Sequence, residues 1–370
     1  MRQPATNEQT LYGGRLGALR RMDGLTQADL SDRLGVGQSF ISQVERGDKS
    51  LPDDVAAQAA LTFDVPIEYF TVPPQPIESG VLTFRKTSRA SARYENMVRQ
   101  SFLEAARLFD QASRASSYRI ADFNDAAEDN VEEAAANLRA ALGFSSTDPI
   151  PNATRALERL GVGVIHNLMG TGNDAAADHH GMSCPTANID RPLVATVSDQ
   201  PGAVSRMTLM HELGHLLYDR HLGAPIRTLR SDEERRAYRF AGAMLIPASV
   251  MKRRVTETLT LHAYLAIKAD YGISVSALIK RAADLDLISP RRSRSLFIQL
   301  NSQGWRQKEP VTVPNEAARL LGQATMYGIS PDPRTVSRLA AVRESQVTRW
   351  TGLTAPEQPT NVIPFKRKAS

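Results

Sequence analysis

The sequence predicts a mainly α-helical chain with a small α+β unit in its second half. Three observations carry that prediction. Apolar residues recur at helical period through much of the chain, as in Leu209, Met210, Leu213, Leu216 and Leu217. Only two short runs, Val162-Gly163-Val164-Ile165 and Pro192 to Val197, read as strands. At 370 residues the chain exceeds one ordinary domain and has room for two or three cores.

Residues 11–50 read as three short helices. Leu11 to Met22 is amphipathic. Thr26 caps a helix from Gln27 to Leu34, with Asp29 at the third helical position as in a capping box with a shorter acid. Gly35-Val36-Gly37 makes a turn, and Gln38 to Glu45 forms the next helix, stopped by Gly47. Ala28, Leu30, Leu34, Val36, Ile41 and Val44 form the predicted small core. This is the helix-turn-helix pattern, whose second helix enters the major groove by its N-terminal end. Gln38, Ser39 and Ser42 then project from the exposed face. A glutamine amide bonds adenine bidentately, and serine serves base or phosphate. Gln27 is placed to meet the phosphate backbone. Residues 1–50 carry seven basic and six acidic residues. Phosphate contacts dominate affinity, so a single module is expected to bind weakly unless dimerisation or other segments help. A helical protein-binding module is the competing reading.

Pro73-Pro74-Gln75-Pro76 marks a linker. Residues 91–141 read as helical, over Val98 to Ala115 and Ala126 to Leu142. Asp148-Pro149-Ile150-Pro151 is a second break, followed by a helix from Thr154 to Leu160 and the two strands. The stretch Gly170 to Asn188 between those strands is polar and glycine-bearing, and reads as a loop lining a cleft.

The next helix carries His211-Glu212-Leu213-Gly214-His215. No proline falls between Val204 and His221. Histidines four residues apart on a helix share one face, so both imidazoles can reach one Zn²⁺. Glu212 is then placed to take a proton from water activated there. A third ligand is expected from the stretch that starts at Ser231. Ser231 or Asp232 caps a helix that turns Ala237, Phe240, Ala241, Met244 and Leu245 inward and ends before Pro247. Glu234 shares that inward side and is the expected ligand, with Glu233 as second choice. Asp219 continues the four-residue ladder and reads better as a carboxylate that holds a histidine than as a ligand. His166, His179, His180, His221 and His262 read as surface or packing residues, with His180 and His221 the two to compare with the metal position.

The single cysteine, Cys184, excludes an internal disulfide framework and fits a reducing compartment. No apolar signal region opens the chain and no apolar run approaches a membrane span. The expected location is the cytoplasm. The net charge is +5, with eight basic against three acidic residues over 85–119 and nineteen against nine over 251–370. Each stretch reads as a solvated basic face that could also lie along nucleic acid.

From Gln27-Ala28-Asp29-Leu30 to Gly35-Val36-Gly37-Gln38-Ser39-Phe40-Ile41-Ser42-Gln43-Val44-Glu45-Arg46-Gly47, the N-terminal segment resembles the phage-repressor-like (XRE) helix-turn-helix family, as far as Phe70. The pair Gln27 and Gln38 matches that family's two glutamines. Arg206 to Leu217, with Glu234 through Pro247, resembles the ImmA/IrrE zinc metallopeptidases over roughly residues 155–310. That resemblance implies a zincin-like fold, His211, His215 and Glu234 as zinc ligands, Glu212 as general base, and a C-terminal helical extension through Tyr271-Gly272-Ile273-Ser274 and Gly304-Trp305. Tyr238, His180 and Met207 depart from that family's usual residues. Beyond residue 310, Pro333 to Thr351 reads as a small helical element, and Ser345-Gln346-Val347 echoes a second helix-turn-helix.

The layout implied is a helix-turn-helix domain over 1–72, a linker and helical segment over 73–150 and a peptidase domain over 151–256. A helical extension over 257–312, a small helical element over 313–354 and a disordered tail over 355–370 follow. The resemblance implies a DNA-binding regulator carrying an endopeptidase that cleaves a repressor-type protein in a stress or mobile-element response. Its expected partners are a double-stranded operator, that protein substrate and a second copy of the chain, without a membrane. Two alternatives stay open: a sensor that uses the peptidase fold without cleaving, and an antitoxin-like repressor.

Overall fold

The computed structural model describes residues 10–75, 83–86, 91–121, 130–170, 179–184, 190–220, 222 and 231–355. It is mainly helical, with one small mixed sheet.

The N-terminal unit is a helical bundle of α1 (Gly13–Met22), α2 (Gln27–Leu34), α3 (Gln38–Arg46) and α4 (Asp53–Phe63), closed by a 3₁₀ turn over Ile67–Thr71. Thr26 and Asp29 form the expected reciprocal capping box at the start of α2. Gly35 ends α2 in the left-handed conformation (φ 63°), where a glycine costs least. Leu16, Leu19, Leu30, Leu34, Ile41, Val44 and Phe70 fill the core. Ala28 departs from the expected core set. It is exposed, because the first turn of α2 faces outward.

The sheet runs β1-β3-β4-β2, formed by β1 (Thr83–Lys86), β2 (Gly163–Ile165), β3 (His179–Ser183) and β4 (Leu193–Thr196). β2 and β4 are the two strands expected, and they pair in parallel. β1 and β3 are additional. β3 lies within the stretch read as a loop and pairs antiparallel with both β1 and β4. Alternation separates the two faces. Ile165, Met182, Leu193 and Ala195 pack with Phe102 and Phe109 of α5 (Ala92–Ala115). Val164 and Val194 join the opposite core with Leu209, Met210 and Leu213 of α8 (Gly202–Tyr218).

That second core is completed by α6 (Val131–Ala141), α7 (Ala153–Arg159), α9 (Asp232–Leu245), α10 (Ala248–Arg254), α11 (Tyr264–Tyr271), α12 (Val275–Asp284) and α13 (Pro290–Ser302). The last helices, α14 (Leu320–Gly328), α15 (Pro333–Ala340) and α16 (Glu344–Thr351), return to α5 and the sheet's other face. The turn between α15 and α16 repeats that between α2 and α3. Ser337 Oγ donates to the Val342 carbonyl at 2.7 Å, as Ser31 Oγ does to Val36 at 2.5 Å. Ala341 takes the left-handed conformation (φ 52°) that Gly35 has in the first copy. The expected echo over Ser345-Gln346-Val347 is therefore a helix-turn-helix in form.

This second pair turns its helix toward the protein. Gln346 donates to Met22 Sδ, Arg343 makes two bonds to Asp23, and Trp350 Nε1 donates to the Leu168 carbonyl at 3.0 Å.

Candidate metal centre

Almost every residue of α8 is buried, because the sheet covers one side of the helix and α9 another. Gly214 lets α9 approach closely: a Cβ there would stand 3.0 Å from Ala237 Cα. Ser231 caps α9 by accepting from the Glu234 N–H at 3.2 Å, which fixes Glu234 in the first turn facing α8. Glu233 is not part of the cluster.

His211, His215 and Glu234 are buried and converge. Their ligand atoms lie within 4.8 Å of one another. The two Nε2 atoms are 3.0 Å apart. Glu234 Oε2 is 3.2 Å from His211 Nε2, and its Oε1 is 3.6 Å from His215 Nε2. Burial holds His211 below the ordinary histidine pKa. Burial also disfavours charge on His215, but bonds to Asp219 and Glu234 outweigh it and lift that group to about 10. Burial would raise Glu234, yet its bonds to both imidazoles hold it well below the usual carboxylate range.

The donor set fits a divalent metal. Two imidazole nitrogens and a carboxylate oxygen separated by 3.0–3.6 Å suit ligands each about 2.0–2.2 Å from one centre. His215 Nδ1 is held by Asp219 Oδ2 at 2.6 Å, which turns Nε2 toward the cluster. Asp219 Oδ1 in turn accepts from Arg236.

Glu212 is also buried. Its Oε2 accepts from Ser183 Oγ at 2.7 Å, and β3 presses against it. A Cβ on Gly181 would stand 2.7 Å from Glu212 Oε1.

On the N-terminal unit, Gln38 and Ser39 are exposed at the start of α3. Ser42 is half-buried and accepts from Arg46 at 2.5 Å. Gln27 donates to Glu45 Oε2 at 2.9 Å, and Glu45 also holds Arg20.

Comparison with protein families gives these two regions their kinship. Residues 16–70 match the helix-turn-helix family, and residues 157–283 match the IrrE N-terminal-like domain, a family of metallopeptidase type. The chain thus carries one segment similar to each of these two families. No curated protein and no solved structure matches it.

The IrrE-like match contains His211, Glu212, His215 and Glu234 and ends within α12, short of the 310 expected. His180 lies in β3 with its side chain outside the described residues, as does all of His221. The tail from residue 356 is likewise outside them. Two partners escaped sequence reasoning. Ser183 sits in a strand with no apolar alternation to announce it. Arg236 was legible only as one of several charges on α9, although it stands two residues after Glu234. Among the described residues, no helix is long and apolar enough to cross a membrane.

Proposed function

We propose that the chain is a DNA-binding transcriptional regulator carrying a zinc-dependent endopeptidase. The observation that carries this reading is a complete set of groups around one point: His211, His215 and Glu234 converge while Glu212 is held beside them by Ser183. Zinc bound there supplies Lewis acidity, which acidifies water and polarises a peptide carbonyl.

The chain's own residues do the rest. Asp219 fixes the His215 tautomer with Nε2 facing the ligand cluster. Glu212 receives the proton from the attacking water and delivers it to the departing amide nitrogen. The Ser183 hydroxyl donates to one Glu212 oxygen and so orients the carboxylate.

We take the substrate to be a repressor-type protein, cleaved in a stress or mobile-element response. The helix-turn-helix domain holds the chain on a duplex operator, and two half-sites call for a homodimer. The site of action is the cytoplasm, where that DNA lies.

The test pairs metal analysis with proteolysis. The purified full chain should retain about one zinc after dialysis, and Glu212→Gln should retain it too. Cells expressing the wild type should accumulate a cleaved repressor-type protein that cells expressing Glu212→Gln lack. Fragments that persist in the Glu212→Gln strain would overturn the catalytic assignment. Zinc retained with no cleavage would favour a sensor built on the peptidase fold.

A further inference from the structure

The helix-turn-helix domain lacks the charge its partner requires. Residues 16–70 carry five basic residues against nine acidic ones. Among them, Arg20 is held by Glu45 and Arg46 by Asp48. Duplex DNA is bound largely through phosphates, and each neutralised phosphate adds to affinity. The missing cations must come from outside the matched domain.

The first turns of α5 supply one. α5 packs against the N-terminal bundle through the buried pair Arg15 and Glu104, with Nη1 and Nη2 donating at 2.7 and 3.0 Å. Farther up α5, its N-terminal end crosses the turn between α1 and α2. Gly24 takes a left-handed conformation there (φ 65°), and a Cβ on it would stand 2.6 Å from Met97 Sδ and 3.0 Å from Arg93 Nε. Tyr94 and Val98 are buried on the opposite side of this helix, so its rotation is fixed and Arg93 and Asn96 are exposed.

Arg93 and Asn96 line an open groove together with Arg20, Arg21, Gln27 and Gln38. Those two glutamines are the residues expected to meet backbone and base. The nearby carboxylate of Asp29 is occupied in capping α2, accepting from the Thr26 N–H and Oγ–H at 2.8 Å each.

We propose that α5 belongs to the DNA interface, with Arg93 and Asn96 holding the phosphate backbone beside the major groove that α3 enters. This rests on the reading of the N-terminal domain as a duplex-binding module. The arrangement answers a specific need: a net-acidic reading head borrows its phosphate contacts from a helix anchored in the rest of the chain.

The experiment is a binding titration by fluorescence anisotropy. The probes are a duplex enriched from a random library by the full-length wild type and a scrambled duplex of the same length. Arg93→Ala should weaken both complexes about equally, by several-fold to roughly tenfold, and reduce the slope of log K against log salt by about one. Asn96→Ala should add to that loss, and Arg93→Lys should restore most of the affinity. Both positions are exposed, so the thermal midpoint should not move. By contrast, Gln38→Ala should erase the difference between the two duplexes. An Arg93→Ala, Asn96→Ala double variant with wild-type affinity and salt slope, alongside a Gln38→Ala variant that loses discrimination, would overturn the role of α5 alone. A random library from which the wild type enriches no duplex would overturn the duplex-binding reading, and this proposal with it.

Discussion

Asp219 Oδ2 lies 2.6 Å from Nδ1 of His215, one helical turn away, and both groups are almost fully buried. Arg236 from α9 completes the arrangement on the other carboxylate oxygen. The carboxylate therefore orients a proposed metal ligand and ties α8 to the helix that supplies Glu234.

Asp219→Asn should keep the fold and lower metal affinity by about 10- to 100-fold, the usual cost of losing such a partner. Competition against a chromophoric chelator reads that directly. Affinity equal to wild type would show that Asp219 does not orient the ligand.

The close approach of β3 to Glu212 gives a second prediction. In Gly181→Ala the new methyl meets Glu212 Oε1 and Thr208 Cγ2, at 2.7 and 2.5 Å in the present geometry. The variant should bind metal as wild type does and lose at least about tenfold in peptide cleavage, since an ångström-scale misplacement costs that much or more. Metal content and cleavage are measured on the same preparation. Undiminished cleavage would mean that this contact does not set the position of the base.

Gly214→Ala tests how α9 reaches the site. The added Cβ would meet the Ala237 backbone at 3.0 Å. Backbone yields less readily than a side-chain tip, so overpacking should cost about 1–3 kcal/mol. The thermal midpoint should fall, and metal affinity should fall with it as Glu234 is pushed away. A stable variant with unchanged metal binding would refute the claim that this glycine sets the helix spacing.

Acid should loosen the junction between the helix-turn-helix domain and α5. Burial pushes Glu104 up, but the charges of Arg15 and Arg107 outweigh it and hold the group at about 2, against its ordinary 4.5. A depressed folded-state pKa contributes stability that is fully present above about 4.5 and is lost as pH falls toward 2. Removing one partner of a buried pair costs about 3–5 kcal/mol, so Glu104→Gln should be less stable than wild type at pH 6. The gap between the two, followed by chemical denaturation, should narrow below pH 4.5. A gap independent of pH would contradict the assignment.

What the sequence alone determined is what short spacing encodes. The four-residue ladder His211, His215 and Asp219, the Thr26–Asp29 box and a cap at Ser231 or Asp232 each follow from helical geometry within one turn. Glu234 was legible because the apolar period of α9 assigns its inward face. The tertiary structure decided what joins segments far apart in the chain. β3 is polar and glycine-bearing, with no strand pattern of its own. It becomes a strand because β1 and β4 offer it backbone partners on both sides, and only then do Ser183 and Gly181 meet Glu212. Likewise Arg93 reads as one more charge in a basic stretch until the Arg15–Glu104 pair and the contact over Gly24 carry it to the groove that Gln27 and Gln38 share. Local periodicity fixes which face a residue occupies, whereas the neighbour that face meets depends on packing between elements whose separation along the chain carries no geometric information.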